Sequence, residues 1–282
     1  MLKNRLKLLC CLVGFGATVV QADALTVPAR LASTDKLVYC SSLDSPPISF
    51  VNSQNSQPDG LAVDLGNEIA KKLGKKAEWR AMPFAGIIPA LLARQCDLVV
   101  TQLFDKPERR KIIDMVDYTK SSQTIVVNKG NAEGIHDLSD LSARKVAVLN
   151  GSTIKSILDA KSDELVAQGR QPINLVVFNS DSDAFQALRI KQVVAYGTTS
   201  EFSAYYQSIA PGLFEDAVPS FAHILAGIGV RKDDRELGRA VETLLKNMRS
   251  DGSYQKLFEK WKIQDDMLQP GEGNPLVTEG GA

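Results

Sequence analysis

Residues 96–119 read CDLVVTQLFDKPERRKIIDMVDYT, and the rest of the chain is organised around them. Residues 96–103 predict a buried strand, because Leu98, Val99 and Val100 form the unbroken apolar run of strands covered on both faces in parallel α/β sheets. Thr101 and Gln102 then place polar side chains at the strand's carboxyl end, where open α/β sheets hold their ligands. Lys106-Pro107-Glu108 starts a short helix, since proline suits the first helical position and glutamate the positive helix end. Arg109 and Arg110 therefore follow a strand's carboxyl end, and a guanidinium there is placed to grip a carboxylate through two parallel hydrogen bonds.

Outward from this stretch, strand and helix patterns alternate. Strands are expected over residues 36–41 and 77–81, with an amphipathic helix over 61–73 whose Leu61, Leu65, Ile69 and Leu73 recur four apart. A helix follows over 87–94. A strand at 118–128 leaves this first unit, and a second series begins with the strand 145–149, the turn Asn150-Gly151-Ser152-Thr153 and a helix over 154–167. The hydroxyls of Ser152 and Thr153 sit at a helix start, which takes N-caps and also binds anions through free backbone N–H groups. Further strands are expected at 174–179 and 193–196, a returning strand at 221–230, and a strong amphipathic helix at 235–250. Two α/β units joined by two crossing segments predict two lobes and a hinge.

Composition narrows the function. The 282 residues carry 33 basic and 33 acidic side chains, so no electrostatic footprint for nucleic acid is present. Residues 1–24 read as a signal peptide: Lys3, Arg5 and Lys7 precede an apolar segment, and Val20-Gln21-Ala22 offers a cleavage site. The apolar run is shorter than the roughly 20 residues a membrane span needs. A soluble exported protein is expected. Only Cys40 and Cys96 remain after cleavage. On parallel neighbouring strands their offset of about three residues gives ~10 Å at ~3.3 Å per residue, beyond the ~7 Å limit for a disulfide, so two buried thiols are expected.

Catalytic signals are weak. His136 and His223 lie in no metal-ligand spacing. Ser152-Thr153-Ile154-Lys155 matches S-x-x-K, but the S-D-N and K-T-G elements of penicillin-recognising enzymes are missing. No Walker loop, nucleophile elbow or dinucleotide fingerprint occurs, and no cofactor is expected.

Several segments in order resemble one family. They are Ser45-Pro46-Pro47-Ile48-Ser49-Phe50, Gly60-Leu61-Ala62-Val63-Asp64-Leu65, Ile88-Pro89-Ala90-Leu91, Cys96-Asp97-Leu98-Val99-Val100 and Pro107-Glu108-Arg109 with Val116-Asp117-Tyr118. Val148-Leu149-Asn150-Gly151-Ser152-Thr153 and Asp251-Gly252-Ser253-Tyr254 with Trp261 complete the set. Over about residues 36–263 the chain resembles the periplasmic substrate-binding proteins of polar amino-acid ABC transporters, the family 3 solute-binding proteins. The resemblance implies an α/β type II periplasmic-binding fold, two lobes with mostly parallel sheets joined by a two-strand hinge. Its expected parts are a linker at 25–35, a first lobe from 36–124 and 224–268, a second lobe at 125–223 and a disordered tail at 269–282.

The same resemblance implies roles for individual residues. Arg109 falls at the carboxylate-binding arginine. Thr101 and Gln102 fall where the cleft is lined, Phe104 where a hydrogen-bonding residue usually supports the ligand, and Phe84 where an apolar or aromatic residue covers its side chain. Ser152 and Thr153 match the second-lobe residues that close on the carboxylate. Ser42 and Ser45 match positions often held by Asp and an aromatic. The family's ammonium-binding Asp is replaced by Thr199, with Thr198 beside it, and Asp44 and Glu201 stand as substitutes. A neutral hydroxyl offsets little of an ammonium's desolvation. The implied function is capture of a small amino acid or related carboxylate by a monomer, for delivery to an ABC permease. The rival is a periplasmic accessory or sensor protein serving a dehydrogenase or receptor.

Overall fold

The computed structural model describes residues 25–276; the expected signal peptide over 1–24 and the last six residues of the chain lie outside the described residues. Strand β1 (Lys36–Ser41) is followed by three short antiparallel strands, β2 (Asp44–Ser45), β3 (Ser49–Val51) and β4 (Pro58–Asp59). Helix α1 (Leu61–Lys72) buries its Leu61, Leu65 and Ile69 stripe and leaves Lys71 and Lys72 at its carboxyl end. Gly60, at φ +121°, starts it against the Ile48 carbonyl, where any Cβ would collide. Then come β5 (Lys76–Ala81), α2 (Ile87–Leu92), β6 (Leu98–Val99) and the one-turn α3 (Pro107–Arg110).

The long β7 (Ile113–Asn128) carries the chain into the second lobe. There β8 (Lys145–Leu149), α4 (Thr153–Ala167), β9 (Asn174–Phe178), α5 (Asp181–Arg189), β10 (Ala195–Thr199) and α6 (Ser200–Ile209) alternate. The 18-residue β11 (Phe214–Arg231) returns, and α7 (Arg235–Ser250) and α8 (Ser253–Trp261) close over the first lobe. The strand order is β5-β1-β6-β11-β7-β10-β8-β9. Strands β5, β1 and β6 are parallel at one end and β10, β8 and β9 at the other, with β11 and β7 antiparallel between them. Register shifts between Asp216 and Gly227 interrupt the β7–β11 pairing where the chain passes between lobes, and such bulges bend a ribbon. Each lobe has its own core: Leu37, Ile69, Val116 and Val241 belong to the first, and Ile125, Val146, Leu158 and Ala195 to the second.

Four local expectations change. The strand expected over residues 96–103 pairs only at Leu98 and Val99. Past Val100 the chain turns, with Leu103 N donating to Thr101 O, and rejoins β11 through an isolated bridge between Phe104 and Ala226. Cys40 and Cys96 are disulfide-bonded, with Cα atoms 5.7 Å apart, which overturns the expectation of free thiols. Cys96 precedes β6 in the turn leaving α2, where Asp97 N donates to Val38 O, so the straight-strand offset does not apply. Residues expected to be a featureless linker are anchored: Leu31 is fully buried and its carbonyl accepts from Lys75 Nζ at 2.5 Å. The expected disordered tail runs in contact with the first lobe as far as Leu276, because Asn274 N donates to Asp117 Oδ2 at 2.8 Å and Leu276 joins the core.

The disulfide closes a loop across a sequence separation of 56. Replacing both Cys40 and Cys96 by alanine is expected to lower unfolding stability by about 2–4 kcal/mol in denaturant titration. Alkylation of the oxidised mature protein should leave its intact mass unchanged.

Candidate functional site

The strands' carboxyl ends in both lobes face a common cavity with about 40 Å³ open to water-sized molecules. Of the residues singled out in the sequence, Ser45, Phe84, Thr101, Gln102 and Phe104 line it from the first lobe, and Ser152, Thr153 and Thr199 from the second. Ser42 and Arg109 stand outside the lining. Ser42 Oγ lies 3.4 Å from Thr101 Oγ1, which is also 2.9 Å from Ser49 Oγ, so these three hydroxyls form one chain. Gly197, on β10, lets α4 approach: a Cβ there would come within 2.8 Å of Ile154 Cγ1.

Arg109 is 9% exposed, with its guanidinium carbon 5.6 Å from the centre of the Phe84 ring. Its Nη1 donates to Phe104 O at 2.7 Å and its Nη2 to Gly151 O of the second lobe at 3.3 Å. Among the described residues no carboxylate pairs with it, and burial pushes it down to about 10. A guanidinium has five N–H donors, so part of its donor set is left for an anion. Arg110 has a structural fate: Asp105 accepts from its Nε at 2.6 Å and Pro275 O from its Nη1 at 3.2 Å. The two adjacent arginines are thus separated by their partners.

Three polar groups of the lining have no hydrogen-bond partner: Gln102 Nε2, Gln123 Nε2 and Thr153 Oγ1. Buried polar atoms are otherwise nearly always satisfied, which marks these as groups awaiting a ligand or water. Ser152 behaves differently, since its Oγ accepts from Lys155 N as the N-cap of α4. Lys155 Nζ is 2.7 Å from Asp159, so the S-x-x-K spacing makes no Ser–Lys pair through the ammonium.

Sequence reasoning missed Gln123 and Asp181. Gln123 lies mid-strand in β7 beside Ser121, Ser122 and Thr124, where one polar residue in a polar run carries no sign of facing a cavity. Asp181 sits in Ser180-Asp181-Ser182-Asp183, which reads as an ordinary helix start, and Ser180 does cap α5 by accepting from Asp183 N at 3.1 Å. Yet Asp181 lines the cavity, with Ser45 Oγ donating to its Oδ2 and Tyr196 OH to its Oδ1. The two substitutes proposed for the missing acid lie behind the lining. Asp44 Oδ2 accepts from Asp181 N at 3.0 Å, and Glu201 is buried beside Ser121, Thr199 and Gln102. Thr199 itself donates to Gln102 Oε1 at 3.2 Å across the lobe boundary. With Ser45–Asp181 and Arg109–Gly151, this contact joins the lobes in a closed arrangement at and beside the cavity.

Residues 37–264 match the description of the bacterial extracellular solute-binding proteins, family 3. The chain belongs to that family. The arginine-binding extracellular protein ArtP of Bacillus subtilis is 31% identical over 232 residues, covering 80% of this chain and 86% of ArtP. An ancestral arginine-binding protein, solved with glutamine bound, is 34% identical with a TM-score of 0.74, over 82% of this chain and 99% of that one. A third likeness is the ancestral amino acid-binding protein AncCDT-1, a precursor of cyclohexadienyl dehydratase, at 33% identity and a TM-score of 0.72, over 82% of this chain and 97% of that one. Among the described residues of this solute-binding protein, no helix is long and apolar enough to cross a membrane, and no cluster of His, Cys, Asp and Glu is placed to hold a metal ion.

Burial acts on the acids of the cleft and hinge. It pushes Asp181 up to about 7, aided by repulsion from Asp44, and Asp266 up to about 8, aided by Glu201. Between roughly pH 4 and 8 the folded chain therefore holds protons that the unfolded chain, with carboxyls near 4, has released. Stability contributed by these groups is complete below about pH 4 and lost as pH rises toward 8. The melting temperature of the ligand-free protein is expected to fall from pH 5 to pH 8, and Asp266→Asn should flatten that slope in the same thermal scans.

Proposed function

We propose that this protein captures a small amino acid or related carboxylate between its lobes and delivers it to an ABC permease. The observation that carries the reading is Arg109, a buried guanidinium with no carboxylate partner beside a cavity that both lobes enclose. A ligand carboxylate would take the free guanidinium donors and the unpartnered Thr153 hydroxyl, which come from opposite lobes. Its binding energy would then favour the closed arrangement, since a ligand shifts a two-state equilibrium only by its differential affinity. Phe84 and Phe104 would cover the apolar part of the ligand. The arginine and glutamine named for the relatives are ligands that would offer a carboxylate to Arg109.

Binding rather than turnover fits the hydroxyls: Ser152 is engaged as a helix cap and Lys155 is paired with Asp159. Export to the periplasm, a permease partner and a monomeric state belong to the same reading, supported by membership of an extracellular family. Micromolar affinity, about −8 kcal/mol, is the expected range.

In a thermal-shift screen against amino acids and simple carboxylic acids, the wild type should gain melting temperature by mass action. Arg109→Ala should lose that gain while keeping a native circular-dichroism spectrum. Arg109→Lys, which keeps charge but not the two-pronged geometry, should retain only a weakened shift. An Arg109→Ala protein that binds with unchanged affinity would remove the assignment.

A further inference from the structure

We infer that Asp181, backed by Asp44, is the subsite for a cationic group of the ligand, a primary ammonium or guanidinium, so that the ligand carries a positive charge as well as a carboxylate. This rests on the carboxylate reading of Arg109 given above. Asp181 is 8% exposed and lines the same cavity as the three unpartnered groups of Gln102, Gln123 and Thr153. Among the described residues, neither Asp181 nor Asp44 forms an ion pair with any Lys or Arg. Asp44 Oδ2 accepts from Asp181 N at 3.0 Å, so two acids adjoin without a cation, a charge pattern that a bound positive charge would balance.

The donors around Asp181 fit the same role. Ser45 Oγ and Tyr196 OH each donate to one of its oxygens, which fixes the carboxylate but leaves acceptor capacity on both. Burial first, and then repulsion from Asp44, raise Asp181, and a ligand cation would offset the repulsion. The cleft thus holds one buried cation and one buried acid, each unpaired, on its two sides: Arg109 on the first lobe and Asp181 on the second. A ligand with a carboxylate alone would leave the acid unmatched, and one with both charges satisfies the pair. It also explains how neutral Thr198 and Thr199 are compatible with a charged ligand, because the acid arrives from the start of α5 rather than from the end of β10.

A different role for the same atoms is a latch, since Ser45 and Asp181 join opposite lobes. The two roles separate in a calorimetric comparison of matched ligands: arginine against citrulline, 4-aminobutyrate against butyrate, and norvaline against pentanoate. The first two pairs differ in charge at the far end, the third at the α-carbon. The wild type should prefer the charged member of at least one pair by about tenfold to a hundredfold, the range for a charge-assisted bond. Asp181→Asn should erase that preference while leaving the uncharged member within about threefold, and Asp181→Glu should keep the preference at reduced affinity. Equal binding of both members by the wild type overturns the inference while the carboxylate reading stands, and it does so even if Asp181→Asn fails to fold. Preference retained in Asp181→Asn also overturns it, as does a loss of both members alike, which is the latch outcome. A wild type that binds no member of any pair at millimolar concentration removes the carboxylate reading, and this inference with it.

Discussion

The pairing of β7 with β11 is the constraint on which the rest depends. These are the two strands that run through both lobes, and every backbone group along them must find a partner as the chain passes from one core to the other. The pairing meets that demand with register shifts rather than a gap, so the ribbon is continuous yet bent between Asp216 and Gly227. Because β6 pairs on one side of this ribbon and β10 on the other, the carboxyl ends of both lobes' parallel strands open toward the same space. The cavity is a consequence of that topology.

Within and beside the cavity, buried charges and polar groups lack the partners such groups normally find. Arg109 is buried without a carboxylate, Asp181 is buried without a cation, and Gln102, Gln123 and Thr153 hold donors or acceptors with nothing to bond. Elsewhere in the first lobe buried and half-buried guanidiniums have acidic partners: Arg231 lies 3.0 Å from Asp234, and Arg110 lies 2.6 Å from Asp105. The contrast between paired and unpaired buried charge separates scaffold from site more sharply than burial alone, since unpaired charge is retained against its desolvation cost. The acids at the hinge, Glu201 and Asp266, extend this unmatched region toward the crossing strands.

Much of the architecture was legible because periodicity and punctuation survive in one dimension. The Leu61, Leu65 and Ile69 spacing yields α1, the KVAVL run yields β8, and the apolar stripe of residues 235–250 yields α7 with the expected bounds. Eight of the ten residues singled out in the sequence line the cavity, in keeping with the rule that such folds place ligands at the carboxyl ends of strands. What failed did so for identifiable reasons. The separation of Cys40 and Cys96 was judged along a straight strand, whereas Cys96 lies in a turn, and a bend of a few residues changes a distance that rise per residue cannot describe. The segment 269–276 has no periodicity to betray its order, which comes from single contacts such as Asn274 with Asp117.

The sequence by itself therefore determined the two α/β units, the crossing strands between them and the arginine that follows the carboxyl end of β6. These rest on local patterns, where neighbours in the chain dictate which face is buried. Only the tertiary structure decided which of two adjacent arginines would be left without an acid, and that an aspartate at the start of α5 would face the cavity. The first depends on how Asp105 folds back onto Arg110 rather than Arg109, and the second on Ser45, 136 positions distant. The charge state of a site is set by everything packed around it, and no local pattern carries that information.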